Sequence, residues 1–172
     1  MWYIDPQICP TSEIWISTMN EIVPNRKAYD PRMHSAEHIL NQTMVRMFDC
    51  GRAFSAHIEK KKSKCDYRFE RNITPEEIVQ IEKKVNAVII SNLPIREKIL
   101  DRQEAGTLVS LARLPDDAGA RVRIITIGDY DICPCSGVHA RTTGEIGEFK
   151  ILSSDWANGV LRIRFKIHEP LA

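Results

Sequence analysis

Residues 30–51, "DPRMHSAEHILNQTMVRMFDCG", govern how the rest of the chain must fold. Asp30 supplies a capping oxygen and Pro31 a preset φ, a combination that opens helices. Met33, Ala36, Leu40, Met44 and Met47 then recur at helical spacing until Gly51 stops the run. On that helix His34 and His38 stand four apart, just over one turn, so their imidazoles point the same way and could share one metal ion. With Glu37 before the second histidine, the pattern H-x-x-E-H is also the mark of inverted zinc proteases, whose glutamate activates a water. The remainder of the chain has to decide between such a protease, another zinc enzyme and no metal.

The 172 residues are 43% hydrophobic and 27% charged, which suits one domain with a substantial core. No apolar run approaches the roughly 20 residues needed to span a bilayer. The start, "MWYIDPQICP", has neither the basic leader nor the apolar segment of a signal peptide, and a cytoplasmic protein is expected. The five cysteines are odd in number and unevenly spaced, which in a reducing compartment favours free thiols or metal ligands over disulfides. Cys9, Cys50 and Cys65 read as packing residues.

The net charge of +1 says nothing about partners, but its distribution does. Residues 60–71 carry Lys60, Lys61, Lys62, Lys64, Arg68 and Arg71 against only Asp66 and Glu70. Arg162, Arg164 and Lys166 alternate along "LRIRFKI". Either set could be a charged strand edge or a phosphate-contacting stripe.

Turn signals at Pro6, Pro10 and Pro24 mark residues 1–29 as an irregular arm with a short strand near "EIWIS", ahead of a domain over 30–172. "AFSAHIE" and "KCDYRFER" read as paired strands, the second alternating Cys65, Tyr67 and Phe69 with Asp66, Arg68 and Glu70. Thr74-Pro75-Glu76-Glu77 has capping-box spacing and a first-turn proline, so a helix is expected over 75–91. A strand at "IREKILD", a short helix around 102–111 and a strand at 121–127 follow. "EFKIL" and "VLRIRFKI" flank Asn158-Gly159, a hairpin turn. The sum is an α+β domain: a mostly antiparallel sheet packed with two main helices.

The strand at 121–127 delivers a loop, "DYDICPCSGVHARTTGEIG" at 129–147, that can fold back over the helix carrying His34 and His38. In it Cys135 and His139 are three residues apart, with Gly137 allowing a tight turn between them. Three imidazoles and a thiolate make a set suited to tetrahedral Zn²⁺, so His34, His38, Cys135 and His139 are the expected ligands between helix and loop. Cys133 is the rival thiolate and is read as a neighbour of the site. His57 and His168 read as ordinary strand or surface imidazoles.

H-x-x-x-H on a helix, followed about a hundred residues later by C-x-x-x-H within "DICPCSGVHARTTGEIG", resembles the editing domain of alanyl- and threonyl-tRNA synthetases. The likeness runs from about residue 31 to 167 and is most like that of free-standing alanyl-tRNA editing proteins of the AlaX type. Their loop reads roughly D-x-x-P-C-G-G-T-H-V-x-x-T-G-E-I-G, matched here at Asp131, Pro134, Cys135, Gly137, His139 and Thr143 through Gly147. The resemblance implies hydrolysis of the ester joining serine or glycine to alanine tRNA. It also implies that Asp131 orients a ligand or assists as a base. Glu37, the other catalytic candidate, stands where the family often has a threonine that helps read the amino acid. Ser136 and Val138 replace the usual glycine and threonine, departures that bear on which amino acid and tRNA are used. In that context Lys60, Lys61, Lys62, Lys64, Arg68, Arg162 and Arg164 become candidates for tRNA contact.

Two other readings compete. An inverted zinc protease would need Glu77 or Glu82 as its third ligand and would leave "CSGVH" unexplained. A zinc-stapled RNA-binding module without catalysis fits the fact that four protein ligands ordinarily close a structural site.

Overall fold

The computed structural model describes residues 30–112, 114 and 119–169. The expected arm at 1–29, with its strand near "EIWIS" and Cys9, lies outside the described residues. Helix α1 spans Pro31–Phe48, capped by the Asp30 carboxylate, which accepts from the backbone N–H groups of Arg32 and Met33 at 3.0 Å. Such a cap stabilises by about 1 kcal/mol. Asp49, at φ 52°, ends the helix in the left-handed region.

All nine residues from 33 to 41 are buried. An amphipathic surface helix would leave a polar face in water; this stretch of α1 is covered on every side. Met33, Ala36, Ile39, Leu40 and Met44 enter the main core, while His34 and His38 face a second covering layer, the loop after β5 (Asp131–Pro134).

The strands form two antiparallel sheets where the sequence suggests one. Strands β1 (Ser55–His57), β2 (Ser63–Arg68), β6 (Phe149–Ala157) and β7 (Val160–Ile167) make a four-stranded sheet in the order β1-β2-β7-β6. Strands β3 (Ile95–Asp101), β4 (Arg121–Ile127) and β5 make a separate three-stranded sheet. The smaller sheet is founded on the β3–β4 pair, and residues 131–134, expected as loop, add its third strand by pairing with β4 from Ile127↔Asp131 to Ile124↔Pro134. Helix α2 (Pro75–Ile90) carries the expected capping box and packs with α1 on the inner face of the larger sheet. Helix α3 (Arg102–Leu108), shorter than expected, packs its Ala105 with Leu100, Val122 and Ile124 in a small cluster under the other sheet.

One strand reading needs correction in detail. Asp66 alternates toward the outer face of β2, yet it is only 6% exposed because Arg162 from β7 grips its carboxylate with two hydrogen bonds of 2.7 Å.

Thr143, in a short 3₁₀ turn at Thr143–Glu145, ties the distal part of the motif loop to α2. Its hydroxyl donates to the carbonyl of Val88 at 2.8 Å and accepts from the N–H of Leu93 at 2.9 Å. Thr143→Val keeps the shape but strands a buried N–H, and the expected loss of stability is about 1–3 kcal/mol in urea denaturation.

Candidate functional site

Helix α1 and the turn after β5 bring four of the sequence-predicted residues together. Ligand-type atoms of His34, His38, Cys135 and His139 all lie within 4.8 Å of one another. The His34 and His139 rings stack with centroids 4.2 Å apart, and the His38 ring stands nearly perpendicular to both. The Cys135 sulfur is 3.5 Å from His34 Nε2.

Each imidazole is oriented through its Nδ1. His34 Nδ1–H donates to the carbonyl of Val138 at 2.9 Å. His38 Nδ1 faces the Asp131 carboxylate at 3.3 Å and the Cys133 sulfur at 3.2 Å. The Ser35 hydroxyl donates to the carbonyl of Pro31, so its oxygen accepts from Ala140 N–H at 3.1 Å and faces His139 Nδ1 at 3.3 Å. Three rings anchored on one nitrogen leave the other for the centre of the cluster, the arrangement typical of metal-binding histidines.

The buried Nε2 of His139 has no hydrogen-bond partner. An orphaned buried nitrogen is costly unless something binds it. Together with the N/S donor set, it fits a metal ion held by these four residues.

The turn itself is locked. Arg123 donates to the carbonyls of Cys135 at 2.9 Å and Gly137 at 2.7 Å, and its guanidinium also binds Glu97. A Cβ on Gly137 would lie 2.2 Å from His34 Cε1, so no larger residue lets the turn approach that ring.

Charges in the cluster are strongly interdependent. Burial opposes ionisation of Cys135, but the imidazoles of His139, His34 and His38 gathered around its sulfur outweigh it and bring its pKa down to about 3. Burial, reinforced by the neighbouring His38 and His34, depresses His139 to about 4. His38 moves the other way: burial lowers its pKa, while Cys133 and Asp131 overcome that and hold it well above the usual imidazole value.

Sequence reading missed the supporting residues. Arg52 donates to Asp131 at 2.6 Å, and Ser35, Asn41 and Arg123 carry no motif of their own. Glu37 is buried, with one oxygen bound by Asn41 and the other 3.9 Å from His38 Nε2. His38, Asp131 and Cys133 form a second grouping of ligand-type atoms, but the Arg52 guanidinium on the carboxylate opposes a further cation there. A groove of about 260 Å³ opens beside His139, walled by Ile95, Ile125, Val138 and Ala140 with Glu97 and Arg123.

The basic candidates divide. Lys60, Lys61, Lys62 and Arg68 are exposed and Lys64 half-buried, and Arg68 lies over the exposed Phe54 ring at 4.3 Å. Arg162 and Arg164 are ion-paired with Asp66 and Asp155. His57 pairs with Glu59 at the surface, and Glu77 and Glu82, the alternative protease ligands, are engaged by Arg71 and Lys150.

In the metal-free protein Cys135 should remain a thiolate at pH ~6, where an ordinary thiol of pKa about 8.5 is protonated. Iodoacetamide should therefore modify it ahead of Cys50, Cys65 and Cys133, as mapped by mass spectrometry. Added metal ion should protect it.

Residues 122–164 match the family described as Threonyl and Alanyl tRNA synthetase second additional domain. The alanine–tRNA ligase of Haemophilus influenzae (strain PittGG) is 31% identical over 149 residues, 85% of this chain and 17% of that protein. Those of Pelotomaculum thermopropionicum and Coxiella burnetii (strain Dugway 5J108-111) are 31% and 34% identical over 81% and 77% of the chain. The chain spans about a sixth of the length of each relative, 16–17%. Among the described residues no helix is long and apolar enough to cross a membrane. The matched span contains nearly all of β4, the turn with Cys135 and His139, and nearly all of the β6–β7 hairpin, so the part of the chain that carries half of the ligand cluster is similar to the threonyl and alanyl tRNA synthetase second additional domain.

Proposed function

We propose that the chain is a zinc-dependent hydrolase that removes wrongly attached serine or glycine from alanine tRNA, acting in trans in the cytoplasm. The observation that carries this reading is the convergence of three Nδ1-anchored imidazoles and a thiol on one point, in a chain that matches the threonyl and alanyl tRNA synthetase second additional domain over residues 122–164. The donor set of three nitrogens and one sulfur favours zinc over magnesium or calcium, which prefer oxygen. A zinc ion held by His34, His38, Cys135 and His139 would supply Lewis acidity toward an ester carbonyl.

The chain's own residues prepare the rest. Asp131 holds the His38 ring, Ser35 the His139 ring, and Arg123 the backbone of the ligand turn. Glu37 stands beside His38 with one oxygen fixed by Asn41, an auxiliary carboxylate at the site and not its indispensable base. The groove beside His139, whose lining also carries Arg96, Arg123 and Arg141, would receive the acceptor end of the tRNA.

Purified protein loaded with zinc is incubated with seryl-, glycyl- and alanyl-tRNA of the alanine type and with seryl-tRNA of the threonine type. Loss of the seryl and glycyl esters, with alanyl-tRNA spared, is expected; survival of all four esters sinks the catalytic reading. A chelator should leave a folded, inactive protein, whereas unfolding on chelation would favour the non-catalytic stapled module. Glu37→Ala should retain much of the turnover, where a protease base would be indispensable.

For tRNA contact, Lys60, Lys61, Lys62, Lys64 and Arg68 are the main candidates, since the charges of Arg162 and Arg164 are met by carboxylates. Replacing Lys60, Lys61 and Lys62 by alanine should raise KM with little change in kcat. The salt dependence of KM should weaken by about one log-log unit per lost phosphate contact.

A further inference from the structure

We propose that Arg52 is a positioning residue for the metal centre, setting the orientation of His38 through Asp131 without touching the ion. The inference rests on the reading that His34, His38, Cys135 and His139 hold a metal, and it concerns a residue outside that set.

Arg52 Nη1 donates to Asp131 Oδ1 at 2.6 Å and Nη2 to Oδ2 at 3.3 Å, a two-pronged grip. The same Oδ2 lies 3.3 Å from His38 Nδ1. The Asp131 side chain is only 1% exposed, so its charge must be met inside the protein, and Arg52 is the permanent cation that meets it. Without that grip, the carboxylate would lose its fixed orientation, and the His38 ring its fixed acceptor.

Arg52 is itself aimed by the helix it serves. The next residue, Ala53, donates its backbone N–H to Asn41 Oδ1 at 2.7 Å, and Asn41 Nδ2 donates to the carbonyl of Glu37 at 3.1 Å. The contacts run from α1 through Asn41, Ala53, Arg52 and Asp131 back to α1 at His38, less than one turn from where they began. A closed circuit of this kind fixes a ring more firmly than a lone carboxylate could.

The test titrates metal-free protein with Zn²⁺ against a chromophoric chelator. Arg52→Ala should bind Zn²⁺ about 10–100-fold more weakly than wild type, as for other residues that orient metal-binding histidines. With saturating Co²⁺ it should still show the wild-type thiolate-to-cobalt absorption, because no ligand has been removed. Asp131→Asn should weaken binding similarly, and the double variant should be little worse than the weaker single, since both changes break one arm. Wild-type affinity in Arg52→Ala, or losses that simply add in the double variant, would overturn the proposal. Should Arg52→Ala not fold, Arg52→Gln, which fills the site without charge, takes its place, and wild-type affinity there is equally fatal. A wild-type protein that binds neither ion would remove the metal reading and this inference with it.

Discussion

The ring of His34 occupies space that any side chain at position 137 would claim, with the nearest ring atom 2.2 Å from where a Cβ would sit. That contact is possible only because α1 is pressed against the turn following β5 along its first two turns. Met33, Ala36 and Leu40 hold the helix from the core side, and the turn covers its polar side. Burying a polar helix face is unfavourable unless its groups are partnered. Here the turn provides those partners, a carbonyl for His34 and a backbone N–H for Ser35. Fold and site are therefore one packing problem: a displaced turn would expose the helix, and a displaced helix would leave the turn without its contacts.

Electrostatics impose a second constraint on the same few atoms. Three imidazoles with centroids 4.2–5.1 Å apart cannot all carry charge in a buried setting. The metal-free protein resolves this by keeping His139 neutral, ionising Cys135 and leaving the positive charge on His38, where Asp131 and Cys133 face it. Arg52 balances Asp131 in turn. The result is an alternation of charge through the cluster that leaves a thiolate and a neutral imidazole ready as donors. Metal affinity in such a site is always linked to protons, because each donor must be deprotonated to bind.

The parts of this arrangement that were legible in the sequence were those with local causes. Asp30-Pro31 and Thr74-Pro75 announce helix starts through hydrogen bonds within three residues, and both helices begin there. Asn158-Gly159 announces the β6–β7 hairpin for the same reason. The third strand of the smaller sheet was not legible, because "DICP" has no alternation of its own and becomes a strand only by pairing with β4. The supporting residues were hidden for a similar reason: Arg52 lies 79 positions from Asp131, and Asn41 looks like any polar residue on a helix. The carboxylate partners of Arg162 and Arg164 were hidden likewise, since they sit on neighbouring strands and are visible only once the register is known.

The ligand candidates are not equally well held, and the inequality bears on what such a site can do. His34 is anchored by a backbone carbonyl at 2.9 Å, and His38 by a carboxylate that is itself gripped by a guanidinium. His139 has only a serine hydroxyl at 3.3 Å, in a residue less buried than either helical histidine, and it alone of the three borders the groove. Four protein donors would ordinarily close a metal site to substrate. The proposed hydrolysis requires an opening, and the weakest anchor on the groove side is where one would form at least cost. On the editing reading, the two helical imidazoles act as the fixed base of the centre, and His139 as the side from which an ester approaches.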